Sequence, residues 1–127
     1  MKDIKILLII ILSFFQLGFI IHGVHGCKDA ANYAKTIIEE VNMIIEENNF
    51  ENTEIKTFEA IIKKFKSTKY YSNKCNCSHA YQLAKDGEEY VKSMISLKFF
   101  KPTTDHLNNI VAISQGIVSY STNCENN

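Results

Sequence analysis

The sequence predicts an all-α protein, a small up-down-up-down four-helix bundle stapled by two disulfides at one end. Three observations lead there. Four segments carry apolar residues at three- and four-residue spacing, the mark of one buried helical face. Pro102 is the single proline among 127 residues, so little interrupts helix. Four cysteines, Cys27, Cys75, Cys77 and Cys124, fall at the ends of those segments.

Residues 1–26 read as a cleaved secretory signal peptide. Lys2 and Lys5 precede an apolar run from Ile6 to Ile21, and the small residues Val24 and Gly26 set up a cut before Cys27. The run is shorter than the roughly 20 residues of a spanning helix. The first lysine beyond it is Lys28, so removal is expected rather than a retained membrane anchor. Val24-His25-Gly26-Cys27 also has the outline of a lipoprotein acylation site. His25 fits poorly there, and acylation of Cys27 would leave an odd number of thiols. Residues 27–127 are then expected to form a single helical domain, secreted and extracellular. That destination is oxidising, which makes the cysteines disulfides first.

The first helix is expected over Ala30 to Glu47, with Ala34, Ile37, Ile38, Val41, Ile44 and Ile45 on one face and Glu39, Glu40, Glu46 and Glu47 opposite. The second should start at an Asn52 or Thr53 cap, bury Ile55, Phe58, Ile61, Ile62 and Phe65, and end near Lys63, Lys64 and Lys66, whose charge suits the helix dipole. Ser67 to Cys77 reads as a connector carrying Tyr70 and Tyr71. The third, capped by Ser78, buries Ala80, Leu83, Ala84, Val91, Met94 and Ile95. Gly87 on its face marks a close approach or a break. Lys98 to Thr103 is the next connector, and Thr104 or Asp105 caps the fourth helix. That helix is apolar on most sides and is expected in the middle of the protein.

Up-down-up-down packing brings all four cysteines to one end. Cys75 and Cys77 are too close to pair with each other without strain, so each should bond Cys27 or Cys124, in an order the spacing leaves open. A metal site from Cys75, Cys77 and His79 with Cys27 or Cys124 is the competing reading. Its spacing is not a familiar zinc pattern, and no metal or cofactor is expected. The cysteine spacing is also not that of insect odorant-binding proteins, saposins or plant invertase inhibitors, which share only the theme of a stapled secreted helical domain.

No Gly-rich phosphate loop, metalloprotease motif or calcium loop occurs, and His79 and His106 read as helix starts, so catalysis is not expected. The 14 basic residues, all lysine, balance 14 acids; losing Lys2, Lys5 and Asp3 with the leader leaves 12 against 13, which gives no reason to expect nucleic acid. Within that balance the layout is uneven: acidic from Glu39 to Glu59, then basic through Lys63, Lys64, Lys66, Lys69 and Lys74. The lysines are candidate contacts to an anionic surface, or the complement of the neighbouring helix's glutamates. Phe99, Phe100, Tyr70 and Tyr71 are candidate anchors for a protein partner, or covers for the ends of the core. Asn76-Cys77-Ser78 is a glycosylation sequon at Asn76. Together these features point to a secreted helical protein that binds an extracellular macromolecule, as an effector, inhibitor or signalling-type protein does. The alternative is a carrier of a small hydrophobic ligand held between the helices, around Phe58, Phe65, Tyr90 and Met94.

Overall fold

The computed structural model describes residues 27–47 and 50–126, with side chains as far as Cys124. The signal-peptide reading concerns residues 1–26 and lies outside them. Helix α1 spans 27–46, a 3-10 turn spans Phe50–Asn52, and α2, α3 and α4 span Ile55–Lys74, Ser78–Ile95 and Thr104–Asn126. The helices alternate in direction. The start of α1 is bonded to the end of α2, and the start of α3 to the end of α4. We call that end the stapled pole. The open pole holds the end of α1, the start of α2 and the α3–α4 loop.

Three boundaries depart from expectation. First, α1 begins at Cys27 rather than Ala30. Second, Ser67 to Lys74 is helix, not connector. Thr68 and Ser72, both fully buried, continue the inward stripe of Phe58, Ile61, Ile62 and Phe65. Small polar side chains hide that continuation from a hydropathy pattern. Thr68 can be buried within the helix because its hydroxyl finds a partner there, donating to the Lys64 carbonyl at 2.7 Å. Tyr70 and Tyr71 therefore lie on α2, and of the lysines only Lys74 occupies its last turn.

Third, the caps shift by one residue. Glu54 and Cys77, not Thr53 or Ser78, hold the N-cap positions of α2 and α3, and neither supplies a side-chain cap. Thr53 Oγ1 instead donates to the Phe50 carbonyl at 2.6 Å, closing the 3-10 turn. Thr103 caps α4 by accepting from the His106 amide at 3.2 Å, while His106 Nδ1 accepts from the Thr103 amide at 3.1 Å. This is a capping box with histidine in the place of glutamate.

The core is graded along the bundle axis. Toward the open pole it holds Val41, Ile44, Phe58, Ile61, Val91, Met94, Leu107 and Ile110. Toward the stapled pole it shrinks to Ala30, Ala31, Ala34, Thr68, Ser72, Ala80, Ala84 and Ser121. The α4 helix is not central. It buries Leu107, Ile110, Ser114, Ile117 and Ser121, but its opposite side, with Ala112, Gln115 and Ser119, is exposed. Four helices around one core leave each with a wet side, however apolar its sequence.

Gly87 marks a close approach, and α3 continues unbroken through it. A Cβ placed there would lie 2.5 Å from Phe65 Cε1, a fully buried ring, whereas one at Gly116 would lie 2.8 Å from the tip of half-buried Leu83. Gly87→Ala should therefore lower stability by about 1–3 kcal/mol through overpacking. Gly116→Ala should be neutral or stabilising by up to about 1 kcal/mol, as alanine favours helix and Leu83 can move. Urea midpoints of the two variants check the contrast.

Candidate functional site

At the stapled pole the disulfides are Cys27–Cys75 and Cys77–Cys124, with Cα–Cα distances of 5.5 and 5.8 Å, and no cysteine is free. The backbone explains why two bonds fit within three residues. Asn76 adopts φ 58°, a left-handed turn that asparagine tolerates, and it divides the end of α2 from the start of α3. Cys75 thereby serves α1 and Cys77 serves α4. Asn76, the sequon residue, is exposed at the tip of this turn. Two disulfides and no free thiol belong to a non-cytosolic, oxidising setting. Among the described residues no helix is long and apolar enough to cross a membrane, and no group of three or more His, Cys, Asp or Glu is placed to hold a metal ion.

The five candidate lysines divide into two sets. Lys64 pairs with Glu40 of α1, and Lys69 with Glu88 of α3 at 3.2 Å, so these two tie neighbouring helices together. Lys63, Lys66 and Lys74 share an exposed stripe of α2 with Tyr70. Tyr70 is 60% exposed, with Lys74 Nζ 5.9 Å from its ring centre. Tyr71 is half-buried. It stacks on Tyr33 of α1 at 5.6 Å and meets Tyr70 edge-on at 5.1 Å. Tyr33 carries no periodic signal of its own and was not legible as part of this cluster.

The open pole separates its two phenylalanines. Phe100 meets the buried Phe58 edge-to-face at 5.4 Å and closes the core. Phe99 is 87% exposed at φ 62°, with Lys98 Nζ 5.6 Å from its ring. Met43, Ile55 and Leu97 are also exposed large apolar residues, and the topology brings them to this same end. They were missed because each reads alone as an ordinary helix or loop residue.

Phe58, Phe65 and Met94 sit inside the packed core, and Tyr90 spends its hydroxyl accepting from Asn109 at 3.1 Å. A surface cavity of about 200 Å³ lies elsewhere, at the α2–α3 corner, lined by Ser72, Asn73, Asn76, Cys77, Ser78 and Tyr81. His79 and His106 are both placed at helix starts, stacked or tilted against Tyr120 and Phe100 respectively.

Glu88 occupies an inward position of α3 between Ala84 and Val91, a signal present in the spacing but passed over. Its side chain is buried and receives Lys92 at 2.8 Å as well as Lys69. Burial raises its carboxyl pKa, but hydrogen bonds from Lys92 and Lys69, with their charges, outweigh this and hold it below the ordinary 4.5. The group therefore stabilises the fold fully above the unfolded-state value, and that contribution is lost as pH falls through the lower folded-state one. Glu88→Gln should cost about 1–2 kcal/mol at neutral pH. The gap between wild-type and variant urea midpoints should close as the solution is acidified below the carboxylate range.

No protein-family model matches this chain, no curated protein matches it, and no solved structure matches it.

Proposed function

We propose that this protein is secreted and binds an extracellular protein partner through its open pole. The observation that carries this reading is the division of labour between Phe99 and Phe100. Exposing a phenylalanine at a left-handed backbone position has a conformational cost and gains no burial. Its neighbour already covers the core, so Phe99 is not needed there. A partner that buries Phe99 recovers the missing apolar term, and aromatic anchors of this kind dominate protein interfaces. Leu97, Ile55 and Met43 supply further apolar area at the same end. Lys98 and Lys101 flank the phenylalanines, and Glu46, Glu47, Glu51 and Glu54 lie at the facing helix ends, giving the rim charges of both signs. The exposed Tyr70, Lys63, Lys66 and Lys74 stripe is a secondary surface, suited to an anionic contact.

The test uses the exported, oxidised chain, whose N-terminal residue should be Cys27. Labelled protein should bind the outer surface of target cells saturably. Phe99→Ala should weaken that binding by about 30-fold, the effect of a hot spot worth about 2 kcal/mol. The same substitution should leave folding stability within about 0.5 kcal/mol, whereas Phe100→Ala should lose about 1–3 kcal/mol. Saturable binding indifferent to Phe99, or stoichiometric uptake of a fluorescent fatty-acid analogue instead, would overturn the proposal.

A further inference from the structure

Asn76-Cys77-Ser78 is the one Asn-x-Ser or Asn-x-Thr triplet in the chain. The pattern has a chemical reason: the asparagine amide receives the sugar, and the hydroxyl two residues on is what the transferring enzyme grips. A triplet alone says little, since many are locked inside helices or cores. The fold treats this one differently. Asn76 belongs to neither helix, lying between the C-cap of α2 at Cys75 and the N-cap of α3 at Cys77. It sits at the tip of the left-handed turn, and both Asn76 and Ser78 are exposed. The surface cavity of about 200 Å³ adjoins it, with Asn73, Ser78 and Tyr81 also on the walls. At about 30 Å³ per water this is the volume of about seven waters, the bulk of one sugar ring.

The middle residue is the obstacle. In the finished fold Cys77 is tied to Cys124, and Ser78 is the first residue of α3, so an enzyme cannot reshape the triplet to fit its own groove. Transfer has to come before this disulfide, and the disulfide order leaves time for it. Cys27, the cysteine made before this corner, bonds Cys75. Cys77 waits for Cys124, 47 residues later. At a synthesis rate of about 5–20 residues per second that interval is about 2–9 s. The opposite order would give Cys77 a partner already synthesised, and the triplet could be closed at once. Of the two orders, the one the fold adopts is the one that keeps the acceptor open.

We propose that Asn76 carries an N-linked glycan, attached before Cys77 bonds Cys124. The co-reactant is a lipid diphosphate-linked oligosaccharide. The Asn76 Nδ2–C1 bond forms, the C1–O bond to the diphosphate breaks, one amide proton is lost, and the lipid diphosphate leaves. The Cys77 and Cys124 thiols then exchange with a disulfide donor, which departs as a dithiol. The first sugar lies over the cavity, with Tyr81 as an aromatic wall, and the glycan shields the stapled pole while leaving the open pole bare. This proposal rests on the export proposed above but not on the role of Phe99.

The test expresses the full chain, leader included, in cultured eukaryotic cells. Intact mass and tandem mass spectrometry then follow the exported protein, before and after peptide N-glycosidase in heavy-oxygen water. Most exported chains should carry a hexose-rich mass increment that the enzyme removes, leaving labelled aspartate at position 76. Ser78→Ala, which keeps Asn76 and its turn, should abolish the increment, and Ser78→Thr should restore it. A reducing agent present during synthesis should leave occupancy unchanged, because Cys77 is still a thiol at the moment of transfer. A clear rise in occupancy under reductant, or in Cys77→Ser, would show that the disulfide closes first and would sink the proposed order. An exported chain that starts at Cys27 with Asn76 bare sinks this proposal alone. A chain kept in the cytosol with its leader attached sinks the export reading with it.

Discussion

The two disulfides close the bundle where hydrocarbon is scarcest. Around them the interior is alanine, serine and threonine, side chains that let helices approach but bury little area. Each bond closes a loop of nearly fifty residues, 48 and 47 apart in sequence, worth about 4 kcal/mol in the chain-entropy model. Set against a net stability of about 5–15 kcal/mol for a domain of this size, the two covalent links together are as large as the margin by which the fold survives. Small residues and staples form one solution: close packing brings the Cα atoms within bonding range, and the bonds make close packing sufficient.

The opposite end is held by ordinary burial. Phe58, Met94, Leu107 and Ile110 fill it, and Phe100 folds over as a lid. Between the poles, ion pairs from Lys64 and Lys69 join α2 to its two neighbours. The uneven charge of the sequence is therefore partly spent inside the fold, and the remaining lysines share a face with Tyr70.

The fold class and the gathering of the cysteines were legible because both follow from periodicity and alternation of direction, which short connections enforce. The disulfide order was not, since the two pairings close loops of nearly the same length; Cys75 meets Cys27 and Cys77 meets Cys124 on either side of the left-handed turn at Asn76, which no spacing rule encodes. The length of α2 was missed for a related reason. Thr68 and Ser72 are buried without being apolar, so the pattern seemed to stop two turns early. In the candidate site, Phe99 and Phe100 were visible as a pair. Their opposite fates depend on a single backbone dihedral and on what Phe58 offers across the loop.

That split has an evolutionary corollary. Position 99 touches solvent and a lysine, whereas position 100 touches the interior. Selection can rewrite Phe99 and Leu97 without endangering the scaffold, while Phe100 is held by folding alone. Variation among descendants of this gene should then accumulate in the loop before it reaches the helices, so that the exposed tip drifts on an unchanged frame.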